Sequence, residues 1–330
     1  MRRIPRSLPC ILAMTIAAST AAHARRFEVF DLGRNVDPHQ VSDSRVVAGT
    51  DVRKSRVSGA RWVDGRWHRL DGPGDALAVN FRGDIAGYSN LGIYSHWPTI
   101  WPAQGDARLL QLPGMDANLG EARAIADDGS SAGWARGDFG VPRCFHAGPD
   151  GVGTEMTLYG QCYVNAMNSH GQVIGYGDFS ENELAAFLWQ EGEFRNLGKL
   201  HGTRYCEALG INELGEIVGA CDASGFDTRA FFWKDGVMKA LKASKDYLWT
   251  AARSINDRGD IVGFGSTDGR SNRALRFVAG GQAIDLNTET IDLADWSLVD
   301  ARSVNDEGVI VGIGYRSDGI FHTFALVPKE

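Results

Sequence analysis

The sequence predicts an all-β fold assembled from a tandem repeat of four-stranded units. A glycine that ends a short apolar segment recurs at a mean spacing of about 44 residues, and a mostly apolar or aromatic position follows each of them fourteen residues later. The glycines are Gly49, Gly87, Gly133, Gly175, Gly219, Gly263 and Gly312. The later positions are Trp62, Trp101, Ala147, Trp189, Trp233, Phe277 and Leu326. A repeat of about 40–45 residues holding four short strands is typical of a β-propeller.

The segment 208–241 shows one repeat most clearly. An apolar strand leads to a turn that begins at Asn212 and ends at Gly215, and residues 216–219 lead out again. Asn at the first turn position and Gly three residues later fit a type I turn whose glycine takes a positive φ. The aromatic run at 230–233 is typical of a buried strand, and residues 238–241 provide a fourth. We therefore expect four antiparallel strands in each unit.

The two ends of the chain supply the parts of one further unit. Matching turns begin at residues 80, 168, 256 and 305, whereas the copies at 42–45 and 126–129 depart from the pattern. Residues 27–32 look like a fourth strand, and residues 323–327 look like a third strand that lacks a successor. The N-terminal strand is thus expected to complete the last blade and close a seven-bladed ring. A count of six or eight blades, or an open solenoid, remains an alternative at this point.

The first 24 residues have the pattern of a secretory signal peptide. Arg2, Arg3 and Arg6 precede a short apolar stretch, and a small-x-small site ends at Ala24. No run elsewhere reaches the roughly 18 apolar residues that a membrane-spanning helix requires. We expect an exported protein, periplasmic or extracellular, whose residues 25–330 form a single β-propeller domain.

The net charge limits the class of partner that this protein can bind, and the cysteines indicate an oxidising compartment. The formal net charge is −7 and becomes more negative when residues 1–24 are removed, which argues against nucleic acid as a partner. No membrane insertion is expected, and we expect a monomer. Cys206 and Cys221 lie symmetrically about one hairpin turn and are predicted to form a disulfide, which leaves Cys144 to pair with Cys162.

The repeat resembles the HAF family of probable extracellular repeats. The resemblance rests on the Asn-x-x-Gly-x-Ile/Val-x-Gly turn, the Ala-Phe-Leu/Phe-Trp strands at 186–189 and 230–233, and the leucine that closes each unit. It covers nearly all of residues 27–327, although copy one has lost the turn glycine and copy three has lost the Trp. The resemblance implies a bacterial exported protein with a propeller-like fold, and it carries over no catalytic residues.

Motifs for known chemistry are weak. Residues 129–133 match Gly-x-Ser-x-Gly, but Ser131 takes a hairpin position that holds Ile or Val in other copies, so we expect a structural hydroxyl bonded to nearby backbone. The sequence contains no His-Glu-x-x-His, Cys-x-x-Cys or Asp-x-Asp-x-Asp-Gly motif. We expect neither a metal ion nor a cofactor.

Variation between copies indicates which face of the fold binds a ligand. The connection from the fourth strand to the next turn varies from 10 to 19 residues, whereas the connection from the second strand to the third is nearly fixed. An arginine recurs three residues before the turn in three copies and should lie near the rim of the channel. The candidate ligand-binding residues are Tyr205, Asp246, Tyr247, Trp249, Asp292, Asp295, Trp296, Arg123, Arg253 and Arg302.

Two functional hypotheses follow from this face. The first is a non-catalytic module that binds a protein or a glycan through aromatic and charged side chains. The second is a carbohydrate-active hydrolase or lyase that uses loop carboxylates, with Asp246, Asp292, Asp295 and Asp300 as candidates. Acids that converge on one point near an arginine would favour the enzyme. For Trp249 and Trp296, the alternative to ligand binding is that they pack between blades.

Overall fold

The computed structural model describes residues 26–52, 57–92, 94–223, 227–278, 280–293 and 295–329. The predicted signal peptide, residues 1–24, lies outside the described residues. The described chain is mostly strand, with a 3-10 turn at Asp138–Gly140 and a four-residue helix α1 at Leu286–Glu289. None of its described helices has the length and apolar character needed to cross a membrane.

Most strands pair antiparallel with their neighbours in the sequence, which gives four-stranded units that we number in chain order. β1 (Arg26–Arg34) precedes unit I. Unit I contains β2 (Val36–Val41), β3 (Val47–Asp51), β4 (Ser58–Val63) and β5 (Arg66–Arg69). Unit II contains β6 (Gly74–Val79), β7 (Ile85–Ser89), β8 (Trp97–Trp101) and β9 (Arg108–Leu109). Unit III contains β10 (Asp116–Ile125), β11 (Ser131–Arg136), β12 (Pro142–Ala147) and β13 (Gly153–Met156).

The later units follow the same order of strands. Unit IV contains β14 (Cys162–Met167), β15 (Val173–Ser180), β16 (Glu183–Gln190) and β17 (Glu193–Asn196). Unit V contains β18 (Thr203–Ile211), β19 (Ile217–Ala223), β20 (Thr228–Lys234) and β21 (Val237–Ala240). Unit VI contains β22 (Trp249–Ile255), β23 (Ile261–Ser266), β24 (Asn272–Phe277) and β25 (Ile284–Asp285). After β26 (Thr290–Ile291) come β27 (Ser297–Val304), β28 (Ile310–Tyr315) and β29 (Phe321–Lys329).

The last unit combines strands from both ends of the described chain. β1 lies antiparallel to β29, in a register that pairs Arg26 with Lys329 and Arg34 with His322. β1 therefore takes the fourth-strand position beside β27, β28 and β29, and we call these four strands unit VII. Phe27 of β1 is 1% exposed, so the strand contributes to the core as well as to the sheet.

Turn asparagines join neighbouring units through their side-chain amides. Nδ2 of Asn212 donates to the carbonyl oxygen of Asn256 at 3.0 Å, and Nδ2 of Asn256 donates to that of Asn305 at 2.8 Å. The same bond links Asn305 of unit VII to Ser42 of unit I at 3.1 Å. Each of these carbonyl oxygens also accepts the backbone N–H three residues later in its own turn, so the asparagine amide adds a second hydrogen bond that ties the turns of neighbouring units together.

The repeated glycine is a site of close backbone approach. A Cβ atom at Gly263 would overlap the carbonyl oxygen of Ala251 on the neighbouring strand. Aromatic side chains of the third strands, such as Phe187 and Phe231, are fully buried. The glycine thus allows the first two strands of a unit to approach, while the third strand supplies the bulk of the core.

Both predicted disulfides are confirmed. Cys206 and Cys221 are direct cross-strand partners on β18 and β19, with Cα atoms 3.9 Å apart. Cys144 on β12 bonds Cys162 on β14, so the second disulfide joins units III and IV.

Candidate functional site

Each first strand carries a β-bulge at the same position, three residues before the turn. The ladder register shifts at that position in units I to VII, so that one residue is left without a cross-strand partner. A bulge of this kind re-aims a side chain away from the sheet. The bulged residues are His39, Leu77, Arg123, Asn165, Leu209, Arg253 and Arg302.

All seven bulged residues line one cavity, which we call the shared cavity. Its volume is about 160 Å3, and residues from the first strand of every unit line it. The three arginines that the sequence predicted to lie near one another, Arg123, Arg253 and Arg302, are all among these residues. The bulges therefore direct these three arginine side chains toward the same cavity.

A second set of side chains lies two residues before the bulge, which we call the acidic layer. Five of its positions are carboxylates, and the other two hold tyrosine and alanine. Its members are Asp37, Asp75, Glu121, Tyr163, Glu207, Ala251 and Asp300. Of these, only Asp300 was among the predicted candidates. The signal that could have found the rest is the recurrence of an acid five residues before the turn in five copies.

Units VI, VII and I form a continuous arc of ion pairs. Nε of Arg253 donates to Oδ1 of Asp300 at 2.8 Å, and Nε of Arg302 lies 3.0 Å from Oδ2 of the same carboxylate. An amino group of Arg302 lies 3.5 Å from Oδ1 of Asp37. Among the described residues, Nε of Arg302 and Oδ1 of Asp37 are buried and lack a partner with hydrogen-bond geometry. Such atoms are where a ligand or a water would bind.

The pair between units I and II follows the same pattern. Nε2 of His39 lies 3.4 Å from Oδ1 of Asp75 and 2.8 Å from Oγ1 of Thr50, which itself hydrogen-bonds Asp75. Burial alone would raise the pKa of Asp75, but the bonds from His39 and Thr50 outweigh it and lower that pKa. The bulged side chain of one unit thus meets the carboxylate of the next.

Glu121 of unit III is partnered differently. Nη1 of Arg123 on the same strand donates to Oε2 of Glu121 at 3.2 Å, and Nδ1 of His96 lies 3.8 Å from its other oxygen. The His96 ring stacks on Tyr88, with centroids 4.2 Å apart. Burial, followed by the charges of Asp75 and Glu121, raises the pKa of Tyr88 to about 12. Tyr88 therefore remains a neutral phenol over the physiological pH range.

Glu207 of unit V is the exception in the acidic layer. The structure shows no hydrogen bond or ion pair from its carboxylate to any described residue. The bulged residue of the preceding unit is Asn165, whose Nδ2 donates to the carbonyl oxygen of Ala208 at 2.8 Å. Burial, followed by the charge of Asp222, raises the pKa of Glu207.

Tyrosines surround this part of the acidic layer. Tyr163 and Tyr176 stack with ring centroids 5.1 Å apart, and Trp134 meets Tyr163 edge-on at 5.6 Å. Burial, followed by the charge of Glu207, raises the pKa of Tyr176 to about 12. Burial and then Glu207 likewise raise the pKa of Tyr205, one of the predicted candidates. Tyr205 is thus placed beside the acidic layer.

Comparison with known families and curated proteins gives little functional information. A family model described as "Protein of unknown function (DUF3466)" matches residues 141–291, which is less than half of the chain. No curated protein matches the chain.

Solved structures identify the fold. The chain is similar to a structure titled "Streptogramin B lyase structure", with a TM-score of 0.58 and 12% identity over 92% of this chain and 98% of that chain. It is also similar to a prolyl endopeptidase, with a TM-score of 0.57 and 12% identity over 93% of this chain and 51% of that one. An acylaminoacyl peptidase of Pyrococcus horikoshii gives a TM-score of 0.51 at 10% identity over 88% and 49%. The chain spans about half the length of the two peptidases.

The fold is a β-propeller. At these identities the likeness extends to the fold alone, so the lyase and peptidase activities remain those of the other proteins.

The two candidate tryptophans have packing roles in this β-propeller. Trp296 lies against Gly314 and meets Phe324 edge-on at 6.4 Å, with the Arg316 guanidinium 5.5 Å from its ring centroid. Trp249 packs over Gly269. These contacts lie within each tryptophan's own unit, so they favour packing over an aromatic binding surface but do not show the expected packing between blades.

The remaining loop candidates lie away from the shared cavity. Tyr247 is half-buried against Gly265 within the core. Asp246 is exposed and bonds Ser244, while Asp295 is exposed and pairs with Arg316 at 3.2 Å. Asp292 is exposed with a φ of 54°. Asp246, Asp292 and Asp295 therefore do not converge on Asp300.

Two further expectations concern Ser131 and metal ions. Ser131 lies within β11 rather than at a strand-to-helix turn, which agrees with a structural role. The expected bond to nearby backbone was wrong, because its Oγ is buried with no partner among the described residues. Within the described ranges as a whole, no three His, Cys, Asp or Glu side chains are arranged to hold a metal ion.

Proposed function

We propose that units I to VII are the blades of a closed seven-bladed ring whose central channel contains the shared cavity. Three observations support this. The cavity is lined by the first strand of every unit, β1 completes the sheet of β27 to β29, and Asn305 of unit VII bonds Ser42 of unit I. Export to the periplasm or the extracellular space as a monomer, and membership of the HAF family, belong to the same proposal. The two disulfides suit an oxidising compartment.

The function that this site supports best is the binding of a polyhydroxylated ligand, a glycan, without turnover. The observation that carries it is the alternation of cations and carboxylates around one cavity, as in Arg253, Asp300, Arg302 and Asp37. A sugar hydroxyl both donates and accepts a hydrogen bond, and such pairs offer an acceptor beside a donor. The neighbouring aromatic rings provide apolar faces on which a sugar ring can stack.

A carbohydrate-active hydrolase is a second candidate, and one observation favours it. Glu207 is a half-buried carboxyl whose pKa is raised by burial and by Asp222, as a general acid requires. A paired carboxylate such as Asp75, whose pKa is lowered and which is therefore ionised, would supply the base or nucleophile. Hydrolysis would then take place in the acidic layer rather than at the loop acids.

A glycan-array screen of residues 25–330, followed by mass spectrometry of each hit, tests these functions. We expect binding without cleavage, and we expect Arg123→Gln to weaken it, because Arg123 lines the cavity. The matched control is Arg270→Gln, which changes an exposed arginine on a loop. Cleavage of a hit would replace the binding module with the hydrolase. A screen without hits would overturn glycan binding and favour a protein partner.

A further inference from the structure

Three of the five carboxylates of the acidic layer meet the bulged cation of the preceding unit, and Glu121 meets Arg123 and His96 instead. His39 meets Asp75, Arg253 meets Asp300, and Arg302 meets Asp37, in each case from one unit to the next. At the interface between units IV and V the bulged residue is the neutral Asn165, and its amide is already bonded to the backbone. Glu207 is therefore left without a protein cation among the described residues.

The side chains that the repeat places beside Glu207 are those of tyrosines. Tyr176 lies opposite Tyr163 in the ladder of unit IV, as Thr50 lies opposite Asp37 in unit I. Thr50 hydrogen-bonds Asp75, the acidic-layer residue of the following unit. The repeat thus places Tyr176 beside Glu207, and the rise of the Tyr176 pKa caused by the Glu207 charge agrees with this.

An unpaired carboxylate flanked by tyrosine rings suits a protonated amine. An ammonium group has three N–H donors, which a carboxylate and phenolic oxygens can accept, and it is attracted to the face of an aromatic ring. The charge balance also favours a cation, since the five carboxylates of the acidic layer outnumber the three arginines and one histidine that the bulges place at the shared cavity. A ligand cation would supply the partner that Asn165 does not.

We propose that Glu207, Tyr176 and Tyr205 form a subsite for a protonated primary amine, with Glu207 two residues before Leu209, which lines the shared cavity. This rests on the proposed glycan-binding function, and it assigns the ligand to the amino sugars with a free amine, as opposed to their N-acetylated forms. The charged and titratable groups around Glu207 are Tyr205 and Arg204 on its own strand, Asp222 on β19 and Tyr176 on β15. Arg204 is paired with Asp222 and so does not neutralise Glu207.

Isothermal titration with glucosamine tetramer and with its N-acetylated counterpart tests the subsite on the full mature chain. We expect the free amine to bind about tenfold more tightly, which corresponds to about 1.4 kcal/mol. Glu207→Gln should abolish this preference because it keeps the shape but removes the charge. Tyr176→Phe should retain most of it because the ring face remains.

The matched control is Glu193→Gln, which changes an exposed glutamate on β17 and should leave the preference intact. Equal affinity for both tetramers in the wild type, or a preference that survives Glu207→Gln, would overturn the subsite while glycan binding stands. If neither tetramer binds, ethanolamine serves as the probe. Binding that depends on Glu207 would then support the subsite without the glycan, and its absence would overturn both.

Discussion

Nε of Arg253 donates a hydrogen bond to Oδ1 of Asp300 at 2.8 Å, across the boundary between units VI and VII. The other oxygen of Asp300 lies 3.0 Å from Nε of Arg302. The Asp300 side chain is only 7% exposed, so one buried carboxylate bridges two arginines of the shared cavity. Asp300 thus connects the two arginines of the ion-paired arc and also belongs to the candidate site.

Asp300→Asn should destabilise the fold, because Arg253 loses its carboxylate partner and Arg302 keeps only Asp37, while both guanidinium groups remain half-buried. We expect a loss of about 2 kcal/mol, less than for a fully buried pair because water reaches the arginines. Urea denaturation at pH 7 measures this loss. Asp246→Asn, at an exposed loop position, should change stability by less than about 0.5 kcal/mol. Equal effects of the two changes would show that the arc contributes nothing.

Gly263→Ala should be among the most damaging small substitutions in unit VI. The new Cβ would overlap the carbonyl oxygen of Ala251, so the first two strands would have to separate. We expect a cost of about 3 kcal/mol, measured as a lower urea midpoint. At Gly92 the nearest atom to a new Cβ is Cβ of Ser95 at 3.9 Å, and Gly92→Ala is therefore the control. A mild effect at Gly263 would mean that the strands are not so closely apposed.

Glu207→Gln should make the ligand-free protein more stable at neutral pH. Burial and then the charge of Asp222 raise the Glu207 pKa in the folded state, so the folded protein holds this proton more tightly than the unfolded chain. The resulting penalty appears as pH rises from the unfolded pKa through the folded pKa, and it is absent below about pH 4. We expect a higher urea midpoint for the variant at pH 7 and no gain at pH 3.5. A gain at both values would point to packing instead of charge.

The double change Cys206→Ala and Cys221→Ala should weaken both the fold and the amine subsite. The disulfide closes a loop of 15 residues, for which the loss is about 3 kcal/mol. Tyr205 and Glu207 flank Cys206 on β18, so a looser hairpin should also reduce the preference for the free amine. Thermal unfolding and the tetramer titration measure the two effects. The pair Cys144→Ala and Cys162→Ala, in units III and IV, should lower stability with a smaller effect on the preference, because Cys162 neighbours Tyr163, whose ring stacks on Tyr176, and not Glu207 itself.

The repeat in the sequence contained enough information for the β-propeller fold and for both disulfides. Turns such as 212–215 and glycines such as Gly263 act locally, so a single copy already specifies a hairpin. The site was harder to predict because it depends on contacts between copies. The three arginines could be predicted because they recur at the same position of the repeat. Trp249 and Trp296 were chosen by residue type alone, and they pack against glycines. The sequence around Asn165 does not show that this residue occupies the bulge position at which three other units carry a cation paired to the next unit.

The pairing of β1 with β29 has a consequence for biosynthesis. The two strands are separated by about 300 residues, and loop-closure entropy opposes their contact until the intervening sheets have formed. β1, which is made before every other described strand, is therefore the last of them to acquire its partner. Until then the nascent chain carries β1, including the aromatic ring of Phe27, as an open edge. Until the ring of strands is complete, this edge is the part of the chain most exposed to pairing with another copy.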